Sequence, residues 1–272
     1  MTDYPARARA CRTENQFNRL HIDLDSTLAP MEIAAIRKAA ETEDLPPASR
    51  LWLDNLAALS PTLFEAPEPF VRTELHKHVA IYRGSTKARP RKRLLIAFTG
   101  VARRLMVPTH IFLQALDARC WDVVLIRHAG SFLDGARGLA DDLDGLLAYV
   151  RRETGLWAYR SVAVFGVSSG GGPAVVAAKR LGARRGVSMC GASGERLLAT
   201  SVRPGWRAAL LRRKTGLCFV HGGANDPDRE AAVAMASAWG GVVRPVKGVR
   251  SHNVMGALMK RGRLKAFLAE VL

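Results

Sequence analysis

The chain lacks any long apolar run. Nothing in its 272 residues approaches the ~20 consecutive apolar positions that a membrane-spanning helix needs, so a helical membrane span is excluded. Cysteine is also scarce. Cys11, Cys120, Cys190 and Cys218 show no CxxC pair or ligand-like spacing, which removes a disulfide framework and a thiolate metal site from consideration. No metal and no cofactor is expected. Cys190 and Cys218 fall in apolar strand-like runs and read as buried, inert thiols. The opening residues, MTDYPARARACRTENQFNRL, carry arginines but no apolar core of a secretory leader, so the expected location is cytoplasmic.

Acidic residues are few. Asp+Glu number 24 against 41 Lys+Arg, a formal net charge of +17. Such an excess invites an anionic partner. Yet aromatics are only 7% of the chain, and none interleave the basic clusters at KARPRKR (87–93), RRK (212–214) or Lys260, Arg261, Arg263 and Lys265. No nucleic-acid motif accompanies them either. The charge therefore reads as a solvated surface, with nucleic acid not expected and an anionic small molecule or glycan left open. Oligomeric state is not encoded.

What is present is alternation. Residues 31–41 (MEIAAIRKAAE) and 48–59 (ASRLWLDNLAAL) read as amphipathic helices, followed by a Pro-rich connector, SPTLFEAPEPF, at 60–70. Beyond it, strand-like segments (VRTELHKHVAIYR as a hairpin, then RLLIAFT, DVVLIRH, SVAVFG, GVSMCG, LCFVHG, VVRPVKG) alternate with helical patterns near 108–118, 139–152, 170–181, 227–239 and 254–272. That order predicts an α/β fold: a mostly parallel twisted sheet with helices on both faces and an antiparallel edge hairpin. Residues 1–70 form an N-terminal helical extension, as a small subdomain or packed on the edge, and 71–272 a catalytic domain.

In the middle of SVAVFGVSSGGGPAVVAAKRLG, a strand pattern breaks into glycines and resumes as a helix. Gly166-Val167-Ser168-Ser169-Gly170 fits G-x-S-x-G in the context that motif needs: strand before, helix after, and Pro173 in the helix's first turn, where a missing N–H costs little. On these residues the chain resembles the α/β-hydrolases, over roughly 71–272. The resemblance places Ser168 as nucleophile. It implies a chain order of serine, then acid, then histidine, each after a later strand. In LCFVHGGANDPDRE the acid falls at Asp226, with Asp228, also readable as a helix cap, as the alternative. His252, between the last strand and the last helical segment, is the expected base; His221 precedes the acid, and His76, His78, His110 and His128 lack such placement.

The resemblance also implies an oxyanion hole from the backbone N–H groups of Ser169 and Val101, with Gly100, Gly166 and Gly170 supporting the turns. Thr99 stands where the family more often has histidine, and the HGGG form of some lipases is missing. The implied activity is serine hydrolysis of a carboxylic ester or thioester. An acyltransferase on the same residues and a non-catalytic binding protein with a basic surface are the alternatives. Within GASGERLLATSVRPGWRAALLRRKTG, Trp206 and Leu210 suggest at most a small flap and no large lid.

Overall fold

The computed structural model describes residues 4–85, 88–128, 130–199 and 214–272. The segment expected to hold the Trp206/Leu210 flap lies outside them. Eight strands form one sheet: β1 (Val71–His76), β2 (Val79–Arg83), β3 (Arg93–Phe98), β4 (Trp121–Ile126), β5 (Ser161–Val167), β6 (Arg185–Met189), β7 (Gly216–Gly222) and β8 (Val242–Val246), in the order β1-β2-β4-β3-β5-β6-β7-β8. β1 and β2 are the expected hairpin, and β2 runs antiparallel to β4. All pairs from β4 to β8 are parallel. Central parallel strands are covered on both faces, which is why RLLIAF, WDVVLI and SVAVFGV are nearly unbroken apolar runs rather than alternating ones. The charged exception is Asp122 on β4. It is buried, and accepts from Lys92 Nζ at 2.8 Å, Tyr159 Oη at 2.8 Å and the Gly84 N–H at 2.9 Å. A buried ion pair of this kind is tolerable only because these extra donors complete it.

Two helical layers sandwich the sheet. On one face α7 (Leu143–Thr154), α8 (Gly171–Leu181) and α10 (Asp226–Trp239) pack residues such as Leu146, Val175 and Met235 on Ile96, Val124 and Phe219. On the other face lie α1 (Tyr4–Ala10), α2 (Glu14–Thr27), α3 (Pro30–Ala39), α4 (Pro47–Leu59), the short α5 (Thr62–Glu65) and α6 (Thr109–Gln114). α11 (Val254–Lys260) and α12 (Leu264–Val271) join them. Leu24, Ile33, Leu53, Phe112 and Leu268 of this layer share one apolar cluster with Leu95, Val123 and Phe165 of the sheet. The N-terminal helices thus cover a sheet face. The 254–272 pattern divides in two because Gly262, at φ 65°, takes the left-handed conformation that ends a helix. α9 (Glu195–Leu198) is a single turn after β6.

Polar ties fasten the first layer to the sheet. Tyr82 Oη of β2 donates to the Thr27 carbonyl at 2.5 Å, and Gln114 of α6 bonds the backbone at Thr62, Ala66 and Glu68. Asp25 of α2 accepts from Trp52 Nε1 at 3.2 Å and lies 3.8 Å from Arg104 and 3.9 Å from His110 Nε2. Burial raises the Asp25 carboxyl to about 6, against the Trp52 bond and the Arg104 charge. Burial lowers His21, stacked on Trp52, to about 4 and the fully buried His110 to about 3. Below pH 6.5 the two histidines bind fewer protons folded than unfolded, so they draw stability down as pH falls toward 4. Asp25 binds more protons folded between about 6 and 3.8 and offsets one of them. The remainder is a loss of about 1.4 kcal/mol per pH unit. Denaturant unfolding between pH 6 and pH 4.5 is expected to show stability falling with pH by at least about that much. His110→Leu, which also removes two buried nitrogens without partners, should flatten it.

Candidate active site

The carboxyl ends of β5, β7 and β8 build the site. β5 ends at Val167, the chain makes one tight 3₁₀ turn over 168–170, and α8 begins at Gly171. Ser168, at the top of that turn, has φ 51°. This is the left-handed region, which costs a non-glycine residue of order 1 kcal/mol or more and persists only where the surroundings enforce it. The enforcement comes from the glycines. A Cβ on Gly166 would lie 2.1 Å from the Gly170 carbonyl oxygen, and one on Gly170 would lie 2.4 Å from that of Thr99. Strand, turn and the end of β3 therefore touch backbone to backbone, and the Ser168 side chain is pushed outward.

His252 reaches this hydroxyl from the loop after β8. Its Nε2 stands 3.1 Å from Ser168 Oγ. The loop is held by Asn253, whose Oδ1 caps α11 by accepting from the Gly256 N–H at 2.7 Å. His252 Nδ1 lies 2.8 and 3.1 Å from the two carboxylate oxygens of Asp228. A carboxylate at Nδ1 assigns the proton to that nitrogen, leaving Nε2 as acceptor for the serine O–H.

The acid in contact is Asp228, and the expectation of Asp226 is corrected here. α10 starts at Asp226, with Asn225 as its cap accepting from the Asp228 N–H. Residues two apart on a helix project about 200° apart around its axis, so the two acids face opposite ways. The Asp226 side chain is 73% exposed and pairs with Arg229 at 3.1 Å, whereas that of Asp228 is 12% exposed and turned to the histidine. His221, the competing histidine, is buried at the end of β7 with Nδ1 on the Gly222 carbonyl oxygen.

One neighbour escaped the sequence reading. Cys190, just past β6, has its Sγ within 4.8 Å of the ligand atoms of Asp228 and His252. Burial, then the Asp228 charge, raises its thiol well above the ordinary range, so it lies beside the acid as a neutral S–H. Its φ of 49° places it in a second tight turn at the same sheet edge. Only its position directly after a strand pattern hinted at this.

Ser168 and His252 open into a cavity of about 410 Å³, lined also by Gly100, Val101, Arg104, Met106 and Pro108. After β3 the chain makes a turn in which the Gly100 N–H donates to the Arg104 carbonyl at 3.1 Å and the Arg103 N–H to the Gly100 carbonyl at 2.9 Å. The Val101 N–H bonds nothing among the described residues, and the Val101 side chain is exposed. Ser169 lies in the first turn leading into α8, where N–H groups lack partners within the helix. A Cβ on Gly100 would stand 3.2 Å from that of Ser168, so this turn closes against Ser168.

The close approaches make a direct test of the turn. Gly166→Ala and Gly170→Ala are each expected to destabilise the fold by roughly 2–4 kcal/mol, through overpacking against backbone that cannot yield. Gly194→Ala, with open space around its Cβ, should fall within ~0.5 kcal/mol of wild type in the same thermal and denaturant unfolding series.

No protein-family model and no curated protein matches this sequence. Solved structures do match its fold. S-formylglutathione hydrolase (FrmB) from Staphylococcus aureus aligns at TM-score 0.52 with 11% identity, over 76% of this chain and 100% of that one. Dienelactone hydrolase from Anabaena variabilis aligns at 0.50 and 15%, over 75% and 95%. MenH from S. aureus aligns at 0.50 and 10%, over 72% and 98%. Strand order, the strained serine turn and these neighbours agree: the chain has the α/β-hydrolase fold.

Proposed function

We propose that the chain is a serine hydrolase that cleaves a carboxylic ester or thioester through an acyl-enzyme on Ser168. The observation that carries this reading is the unbroken line of hydrogen bonds from Ser168 Oγ through His252 to Asp228, opening on the 410 Å³ cavity. A serine hydroxyl is a weak nucleophile without a base, and a histidine is an effective base only in the right tautomer and orientation. The Asp228 contact supports both conditions.

In this mechanism Ser168 Oγ attacks the acyl carbon while its proton passes to His252 Nε2. Asp228 stabilises the imidazolium so formed. The negative charge that develops on the carbonyl oxygen falls to the N–H groups of Val101 and Ser169, which are free to receive it, near the positive end of α8. Collapse expels the alcohol or thiol, which takes the proton back from His252. Water then repeats the sequence on the acyl-enzyme, releasing the acid and restoring the serine. Two of the fold neighbours are themselves named hydrolases, in keeping with this chemistry.

Hydrolysis of short 4-nitrophenyl esters tests the reading and the choice of acid together. Asp228→Asn should lower kcat by roughly 10³–10⁴-fold, because it permits the wrong imidazole tautomer. Asp226→Asn is expected to stay within about twofold, as a solvated side chain away from the histidine. Equal effects from both variants, or none from Asp228→Asn, would contradict the assignment.

A further inference from the structure

The active-site edge of the sheet carries a second cluster that the mechanism does not use. Phe98 of β3 is in register with Gly166 of β5 and with Ile126 of β4. Ser168, Gly100 and His128 each follow these paired positions by two residues, at the ends of three neighbouring strands. Neighbouring strands are about 4.8 Å apart, so the ends of β4 and β5, which lead to His128 and Ser168, lie about 10 Å apart. The next strand, β2, brings His78 beside it: the Arg127 N–H donates to the His78 carbonyl at 2.8 Å, and His78 Nδ1 is 3.1 Å from the Arg127 carbonyl. The hairpin turn adds His76 and Lys77. The three imidazoles form a row, with ring centroids 5.3 Å apart for His76–His78 and 5.4 Å for His78–His128.

The side chains that flank the histidine row most closely are basic, Lys77 and Arg103. Arg103, two residues from the cavity-lining Val101, also acts electrostatically on His128. Lys77, Arg103 and Arg127 enter no ion pair among the described residues, and the buried Arg127 Nε has no acceptor there. The acids closest along the chain are already engaged, Glu74 with Arg72 and Asp134 with Arg196. Elsewhere many partly or fully exposed arginines, among them Arg7, Arg37, Arg180 and Arg229, do find a carboxylate. Burial first, and then this surrounding positive charge, hold His78 and His128 below the ordinary imidazole value. A fixed anion would relieve the second part.

We propose that this corner, built from His76, Lys77, His78, His128 and Arg103, binds the anionic end of the ester that Ser168 attacks, so that the substrate carries a carboxylate or phosphate several bonds from the reacting carbonyl. The inference rests on the hydrolase reading above and adds the substrate class. It uses the charge that the sequence reading assigned to solvated surface. The cations are spread over a row, so they select for charge and reach more than for one exact shape.

The test compares two series of 4-nitrophenyl esters at low ionic strength: monoesters of dicarboxylic acids of rising length, and neutral esters of monocarboxylic acids of equal length. At the best length the anionic ester should be favoured in kcat/KM by roughly tenfold, the worth of one charge-assisted hydrogen bond, mostly through KM. The double variant Lys77→Glu/Arg103→Glu should abolish the preference. Arg160→Glu, the same kind of charge reversal at the opposite end of the sheet, should retain it. Inhibition of neutral-ester hydrolysis by glutarate but not inorganic phosphate would assign the anion as carboxylate, and the reverse as phosphate. Hydrolysis of neutral esters with no preference for anionic ones at any length would overturn the inference and leave the hydrolase reading intact. No hydrolysis of any ester by folded protein would overturn both.

Discussion

The structure turns on a close backbone contact. Where β5 meets α8, Gly166 and Gly170 bring strand, turn and the end of β3 closer together than any Cβ would permit. That contact enforces the left-handed conformation of Ser168 and sets its hydroxyl at the mouth of the cavity. The rest of the site is arranged around this fixed point. β3 supplies a turn that closes on Ser168 through Gly100, β7 leads into the helix that carries Asp228, and β8 into the loop that carries His252. The parallel register puts all of these at the same edge, so residues scattered over 150 positions of sequence need no long excursion to meet.

The buried polar cluster and the candidate site occupy opposite ends of the sheet. At the amino ends, Asp122, Lys92 and Tyr159 form a buried, fully partnered polar cluster that tolerates little change. At the carboxyl ends the chain accepts two strained non-glycine turns, at Ser168 and Cys190, and leaves polar groups such as the Val101 N–H without partners among the described residues. Between them the N-terminal helices act as a cover over one face of the sheet. Through Asp25 and Arg104 they also touch the segment that lines the cavity. Unpaired donors and strain of this kind are costly in a fold and useful in a site.

Much of this architecture is legible in the residues. Apolar runs separated by turn chemistry mark the central strands, and Pro30 and Pro47 stand at the first positions of helices read from their amphipathic pattern. The serine turn is legible because only glycine fits its flanks. Asp226 and Asp228 were not separable in the same way. A loop acid and an acid on the inward face of a helix's first turn have the same sequence appearance, and the start of α10 at Asp226 decides which side each takes. α1 and α2 are hard to see for another reason: ENQFNRLHIDLDST is weakly apolar, and its helix is defined by the Thr13–Gln16 capping box and by packing against the sheet layer. The histidine row is invisible in sequence, because His76, His78 and His128 come together only through the pairing of β2 with β4.

The central claim is that Ser168 is an activated nucleophile. The most direct measurement is intact-mass spectrometry after treatment with a fluorophosphonate, on wild type and on Ser168→Ala. A single adduct on wild type, mapped to the peptide containing Ser168 and absent from the variant, is the predicted result. Folded wild-type protein that takes up no adduct, or takes it up equally without Ser168, would contradict it.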